Sequence, residues 1–188
     1  YAQLRANPEF RMLFADHAHN HMFNGGALTP EKTAERYQKL STFIDRAIVG
    51  ESARWGDSKR STPYTRNAEW VTERDRLLNS YFPQRTNIVL GFLRGANLYP
   101  DTDAPVFSQH GGHISSATLV TISGNDGTIY YTVDGSDPRL QGGGISPSAI
   151  TYNGSNVFTG LSGAINLRAR ARDGSEWSAL NEAQFIID

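Results

Sequence analysis

The fold is decided by GTIYYTVDGSDP, residues 127–138, in which an alternating stretch runs into a polar turn. Ile129, Tyr131 and Val133 are separated by single residues, and successive side chains of a strand point to opposite faces. The alternation ends at Asp134. There glycine permits positive φ, short polar side chains bond nearby amides, and Pro138 cannot continue a central strand. The stretch therefore predicts a strand followed by a tight turn.

Further short strands are predicted on both sides of this one. In the clearest, Leu167 and Ala169 point to the core while Arg168, Arg170 and Arg172 point to solvent. The predicted strands are 105–108, 118–123, 128–133, 149–152, 157–159, 165–172 and 183–187, with Gly, Asn, Asp, Ser and Pro between them. About seven short strands with such turns predict an immunoglobulin-like antiparallel β-sandwich.

The first part of the chain has a helical period instead. Asn7-Pro8-Glu9 and Thr29-Pro30-Glu31 each supply an N-cap, a proline at the first helical position and an acid. The predicted buried stripes of these two helices are Phe10, Leu13, Phe14, His17, Ala18 and His21, and Tyr37, Leu40, Ile44, Ala47 and Ile48. A third helix carries Trp70 to Tyr81, and a fourth opens at Pro83. Three to four helices are predicted.

The change of period near residue 100 divides the chain. We predict an α+β protein of two domains: a helical subdomain at 1–98, a linker at 99–104 and a β-sandwich at 105–188. Charge changes at the same place. Residues 1–99 hold 14 basic and 10 acidic side chains, a net +4, whereas residues 100–188 hold 4 and 9, a net −5. The second half therefore lacks the basic excess of a nucleic-acid binder.

Composition excludes several classes of site. The chain has no cysteine, so it has no disulfide, zinc-thiolate site or thiol nucleophile. No apolar run approaches the roughly 20 residues that cross a bilayer, and we expect no signal peptide within the given residues. Because the sequence begins at Tyr1, we expect it to be a piece of a longer protein whose targeting segment lies upstream.

Two parts of the chain resemble known families. GTIYYTVDGSDPR, SAITYNG and INLRARA resemble the fibronectin-III-associated, or chitobiase C-terminal-like, β-sandwich domains over most of residues 104–188. NPEFRMLFADHAHNHMFNGGALTPEK, IDRAIVGESARWGD and RDRLLNSYFPQRT resemble the helical tail of bacterial CotH (spore-coat protein H) kinase-like proteins, over residues 1–97. In this order the two resemble the C-terminal part of large bacterial multidomain proteins.

The resemblance implies a secreted or cell-surface, non-catalytic accessory segment. Its partners would be upstream domains of the same polypeptide, and its sandwich would be a spacer or a module that binds protein or glycan. Phosphoryl transfer needs a loop that cradles phosphate and a lysine on the phosphates. The sequence has no glycine-rich loop between a strand and a helix and no lysine in a predicted strand. We therefore expect no enzyme activity and no cofactor, with any kinase site upstream.

Two kinds of residue are candidates for ligand binding in the sandwich. Trp177 and Tyr152 could stack against a sugar ring, although aromatic residues in sandwiches more often pack in the core or its rim. Arg168 and Arg170, with Arg172, could meet an acidic glycan or phosphate. The alternative is a solvated face paired with neighbouring acids. A carbohydrate-binding module is therefore the second functional hypothesis.

Two weaker patterns could hold metal. His17 and His21 lie one helical turn apart, but a zinc site needs a third ligand that the sequence does not identify. They fit a packing role better. Asp134 and Asp137 could bind calcium with backbone carbonyls, whereas aspartates in such turns more often cap amides. We expect no metal site.

Overall fold

The computed structural model describes residues 2–188 and divides them into two compact units. Residues up to Asn20, together with Phe92–Asp188, form the sheet unit, and His21–Gly91 form the helical unit. The predicted α+β fold is confirmed. The contacts group the first helical residues with the strands, so the compact units do not follow the linker predicted at 99–104. The domain bounds 1–98 and 105–188 remain a prediction.

The described part of the chain contains five α-helices and two π-helical turns. They are α1 (Ala2–Ala6), α2 (Pro8–Met22), α3 (Pro30–Trp55), a π-helix (Arg66–Trp70), α4 (Val71–Arg76), a second π-helix (Leu77–Tyr81) and α5 (Phe82–Gly95).

Both predicted helix starts are confirmed. Asn7 Oδ1 accepts hydrogen bonds from the amides of Glu9 and Phe10, at 2.9 and 3.3 Å. Thr29 Oγ1 accepts from the amide of Lys32 at 3.4 Å. These side chains satisfy amides that have no partner in the first turn of a helix.

The helix predicted to open at Pro83 is α5, which begins one residue earlier, at Phe82, and helical structure is continuous from Arg66 to its end at Gly95. A proline inside a helix removes one hydrogen-bond donor, and its ring crowds the carbonyl four residues earlier. The π-helix Leu77–Tyr81 lies immediately before this position. The wider turn of this π-helix leaves space for the proline ring beside that carbonyl.

The buried side of α3 is not the predicted apolar stripe. Ser41 is the buried residue of this helix, and Asp45 pairs with Arg66 of the first π-helix. Leu40 is 65% exposed and Phe43 is 86% exposed. The helix therefore packs a partly polar side inside the helical unit and leaves its apolar side uncovered.

Among residues 2–188, eight strands belong to the sheet unit. They are β1 (Val106–Phe107), β2 (Gly112–Ile114), β3 (Ile122–Ser123), β4 (Thr128–Thr132), β5 (Ile150–Thr151), β6 (Gly163–Asp173), β7 (Glu176–Trp177) and β8 (Asn181–Ile187). Six of them form one sheet in the order β2-β8-β6-β4-β5, with β7 beside β6, while β1 and β3 form a two-stranded sheet.

The strand predictions are mostly confirmed, with three corrections. Residues 157–159 form a turn rather than a strand. Strands β2 and β7 lie where the sequence predicted turns. Strand β2 runs parallel to β8, so the large sheet is mixed rather than wholly antiparallel.

The core of the sheet unit lies on one face of the large sheet. Leu167 and Ala169 of β6 are fully buried there, with Phe185 of β8 and Val120 before β3. Ile129 and Tyr131 of β4 pack against the same cluster. The predicted inward residues of β4 and β6 are therefore confirmed. The opposite face carries the arginines of β6, because side chains alternate along a strand.

Gly127 should be the least replaceable glycine of the sheet unit. It has φ +59°, and a Cβ there would collide with the backbone carbonyl of Arg172. We expect Gly127→Ala to lower the free energy of unfolding by about 3 kcal/mol, since left-handed strain adds to a backbone displacement. Urea denaturation followed by circular dichroism measures this.

The matched control is Gly174→Ala. Gly174 has φ +55° with open space around its Cβ position, so its substitution should cost only the strain, about 1 kcal/mol. If both variants lose the same free energy of unfolding, the close approach of Gly127 to β6 is contradicted.

Candidate functional site

Helix α2 presents a polar stripe to the sheet unit. Ala15 and His19 are buried and Asp16 is partly buried, whereas Leu13 and His17 are exposed. The predicted stripe is therefore wrong: the buried side of α2 is rotated from it by more than about a third of a turn. A carboxylate directed at a buried cation explains the difference, since leaving that cation unpaired costs more than exposing a leucine.

Arg170 is the centre of this contact and is only 1% exposed. Its guanidinium donates to both oxygens of Asp16 at 2.8 and 2.7 Å, and to both oxygens of Asp137 at 2.8 and 2.7 Å. It also donates to the carbonyl of Ser178 at 2.9 Å. All three nitrogens are engaged, so the prediction that Arg170 faces solvent is wrong.

Asp16 and Asp137 each have a second role. The amide of Leu180 donates to Asp16 Oδ1 at 2.8 Å, and the amide of Arg139 donates to Asp137 Oδ1 at 2.9 Å. Burial raises the pKa of Asp137, but the hydrogen bonds and charge of Arg170 outweigh this and hold that pKa below its usual value. Both carboxylates thus join Arg170 to backbone amides, one after β7 and one in the turn after β4.

A second ion pair lies along the same helix. Arg139 donates to the two oxygens of Glu9 at 2.8 and 2.6 Å, and the amide of Gly142 donates to Glu9 at 3.0 Å. The hydrogen bonds from Arg139 lower the pKa of Glu9 to about 2. Glu9 therefore attaches α2 to the segment that follows the turn at Asp134, whereas Asp16 attaches it to β6 and to Leu180.

His19 forms the last contact of this stripe. Its Nδ1 shares a hydrogen bond of 2.8 Å with the hydroxyl of Tyr99. Burial lowers the pKa of His19 to about 4, because the charged imidazolium is poorly solvated there. Burial likewise raises the pKa of Tyr99. Both groups are therefore neutral at pH 7.

The two candidate stacking residues lie on opposite faces of the sheet. Tyr152 packs against the core and makes an edge contact with Tyr131. Trp177 is 2% exposed, packs against Tyr130 and donates its indole N–H to the carbonyl of Gly143 at 2.8 Å. It lines a largely polar cavity of about 310 Å³. Neither aromatic is an exposed platform for a sugar ring.

The outer arginines of β6 are partly as predicted. Arg168 pairs with Glu182 of β8 at 2.9 Å, which confirms the expected pairing with a neighbouring acid. Arg172 lies over the ring of Trp177 at 5.4 Å. Arg168 and Arg170 therefore have different surroundings, one half-exposed and one buried, and they do not form a common basic ladder.

The metal candidates have ordinary roles. Asp134 Oδ1 accepts from the amide and hydroxyl of Ser136 at 2.9 and 2.6 Å, and these hydrogen bonds lower the pKa of Asp134. The capping role predicted for Asp134 and Asp137 is confirmed. His17 and His21 are exposed, so the packing role predicted for them is wrong. Within residues 2–188, no three His, Cys, Asp or Glu side chains are grouped closely enough to hold a metal ion.

The part of the chain around Arg170 is similar to a known family. Residues 120–179 match the family model described as Fn3 associated. The Fn3-associated segment runs from the residues before β3 through β7 and includes Asp137, Arg170 and Trp177. No curated protein and no solved structure matches the chain. In residues 2–188, none of the helices has the length and apolar character that crossing a membrane requires.

The sequence could not reveal which side chains pair with Arg170 in the Fn3-associated segment. Asp16 lies 154 positions before Arg170, and only the fold brings the two together. One local signal was available. Asp137 belongs to the turn that the sequence singled out, and a turn carboxylate can accept from a neighbouring strand while it caps an amide.

Replacing Asp16 with Asn should destabilise the sheet unit. The substitution keeps the shape but removes one of two carboxylates from a cation that is 1% exposed. We expect a loss of about 3 kcal/mol in the free energy of unfolding, as for other broken buried ion pairs. Chemical denaturation of the full chain measures it.

Glu182→Gln is the matched control, since it breaks the half-exposed pair with Arg168 and should cost less than about 1 kcal/mol. If Asp16→Asn costs no more than this control, Asp16 does not compensate the charge of Arg170.

Stability should fall on mild acidification because of His19. Its pKa is lowered in the folded state to about 4 from 6.5, so the unfolded state binds the proton first. The stabilisation is complete above pH 6.5 and is lost as the pH falls towards 4, by roughly 2 to 3 kcal/mol. Urea unfolding between pH 7 and pH 4 measures the decline. His19→Gln should flatten it, and an unchanged slope in that variant would contradict this assignment.

Proposed function

We propose that this chain is a non-catalytic accessory segment of a larger bacterial protein that is secreted or displayed at the cell surface. Its β-sandwich would be a spacer or interaction module that holds neighbouring domains at a fixed position. The Fn3-associated match over residues 120–179 supports an accessory module in a larger protein. The CotH-like origin, the chitobiase-like subtype and the extracellular location are part of this proposal.

The observation that carries the proposal is the complete engagement of Arg170. Its guanidinium donates to Asp16, Asp137 and a backbone carbonyl, so none of its N–H groups is left to bind a ligand. The buried ion pairs of Arg170 thus attach α2 to the sheet. Buried charges that are paired within the module are not available to a substrate. Such a module is suited to hold neighbouring domains in place rather than to catalyse a reaction.

The uncovered side of α3 supports the proposed partner. Leu40, Phe43 and Ile44 are exposed in the helical unit, and contiguous exposed apolar residues are typical of surfaces that contact another protein. We propose that this side of α3 abuts an upstream domain of the same polypeptide, which could be a kinase-like catalytic domain.

A carbohydrate-binding role centred on Trp177 and Tyr152 is less well supported. The two rings occupy different faces of the sheet, and the ring of Trp177 is buried. A sugar site in a sandwich normally offers at least one exposed aromatic face. The spacer role therefore ranks above it.

Hydrogen exchange tests whether the sheet unit is one rigid module. We expect amides of α2 before Asn20 and amides of β6 to open with free energies within about 1 kcal/mol of each other, because Arg170 joins them. Asp16→Asn should lower protection in α2 by at least about ten-fold relative to β6. Mass spectrometry of the intact chain resolves both segments.

Glu182→Gln should leave the two segments coupled. Independent opening of α2 in the unsubstituted chain would contradict the rigid module. Transfer of phosphate from magnesium-ATP by this chain, above the level of a heat-denatured sample, would contradict its non-catalytic character.

A further inference from the structure

The helical unit contains an open pocket of about 370 Å³ that none of the contacts above uses. It lies at the end of α3, where the chain turns back through residues 56–65 and enters the first π-helix. Three aromatic side chains line it, from Trp55, Tyr64 and Trp70. Trp55 is 54% exposed and Tyr64 is 49% exposed. Pockets of this volume are large enough for small ligands.

Gly56 brings the aromatic residues together. Its carbonyl accepts from the amide of Tyr64 at 2.8 Å, which closes the loop on the end of α3. A Cβ at Gly56 would lie 2.5 Å from the carbonyl oxygens of Ser52 and Tyr64. Only glycine therefore permits this close approach, and it places Tyr64 beside the last turn of α3.

The opposite wall is fixed by a reciprocal cap. Thr65 Oγ1 accepts from the amide of Ala68 at 3.1 Å, and Glu69 Oε2 accepts from the amide of Thr65 at 2.7 Å. Arg66 donates to Asp45 of α3 at 3.1 and 2.6 Å. These bonds hold the π-helix that carries Trp70 against α3, so the pocket is preformed.

The charges around the pocket select a neutral ligand. Guanidinium groups already lie over its three rings, Arg54 at 5.0 Å from Trp55, Arg60 at 3.9 Å from Tyr64 and Arg74 at 5.5 Å from Trp70. They would repel a cation that sought the same rings. The carboxylates of Glu51 and Glu69 line the pocket and offset most of the charge of these guanidinium groups, so the pocket does not favour an anion either.

Glu51 provides a hydrogen-bond acceptor. No hydrogen bond or ion pair to its carboxylate is found within residues 2–188, whereas Glu69 is held by the cap and by Arg60. A ligand with one apolar face and peripheral hydroxyl groups suits such a lining. The apolar face would pack on an aromatic ring, and a hydroxyl would donate to Glu51.

We propose that the Trp55–Tyr64–Trp70 pocket binds a neutral pyranose ring. This site is separate from Trp177 and Tyr152, and it lies wholly in the helical unit. It would give the accessory segment an attachment to polysaccharide that does not use the sheet.

Indole resonances provide the test. The chain has three tryptophans, and each gives one indole N–H signal in a ¹⁵N correlation spectrum of the full chain, assigned with single Trp→Phe variants. The probes are cellobiose, maltose and xylobiose, each added up to about 20 mM, a range that detects weak binding. We expect at least one to shift Trp55 and Trp70 saturably. Trp177, buried in the sheet unit, is the internal control.

Two variants locate the site. Trp55→Ala and Tyr64→Ala each remove one aromatic face and should weaken binding by about ten-fold. Phe43→Ala is the matched control, since Phe43 is an exposed aromatic on α3 that does not line the pocket, and it should leave affinity unchanged. Circular dichroism checks that each variant is folded.

Glu51→Gln distinguishes a sugar from a cation. The amide keeps an acceptor oxygen, so sugar binding should fall only about three-fold, and choline chloride should not shift the indole signals. The proposal is overturned if no sugar shifts Trp55 and Trp70, if Trp177 shifts equally, or if choline binds instead. It is also overturned if Trp55→Ala and Tyr64→Ala bind as tightly as Phe43→Ala.

Discussion

A buried arginine is the constraint on which the sheet unit depends. Arg170 is 1% exposed, and a cation removed from water must be compensated by anions and by hydrogen bonds to all its donors. Two carboxylates meet this need, one from α2 and one from the turn after β4. The positions of a helix, a turn and the central strand of the sheet are thereby set by one side chain.

We infer that this arrangement contributes more to specificity than to net stability. A buried ion pair gains little over a well-packed apolar replacement, because desolvation offsets much of the attraction. An unpaired charge, in contrast, is strongly unfavourable. Any packing of α2 that moved Asp16 away from Arg170 would carry that penalty. The pair between Glu9 and Arg139 adds a second fixed point on the same helix, which determines both its position and its rotation.

Local sequence patterns were sufficient to predict most strands and the helix starts. They could not predict ion pairs between residues that are distant in the sequence. Alternation correctly placed Leu167 and Ala169 in the core, and capping residues correctly placed the starts of α2 and α3. Arg170 alternates just as regularly, and the rule that charges face water assigned it to solvent. That rule fails when the compensating carboxylates come from distant parts of the chain. Strand β2 was missed for a similar reason, since its partner β8 is remote in sequence.

In the helical unit, prediction from sequence patterns failed in the opposite way, because it assigned to the core apolar residues that are exposed. A helical apolar stripe predicts the buried side only if the molecule covers its most apolar surface. In α3 the covered side carries Ser41 and Asp45, and the apolar side is exposed. The ion pair between Asp45 and Arg66 and the loop closed at Gly56 fix the structure at the end of α3. This chain therefore leaves hydrophobic residues of α3 exposed, and the contact proposed above with an upstream domain would remove the cost of exposing them.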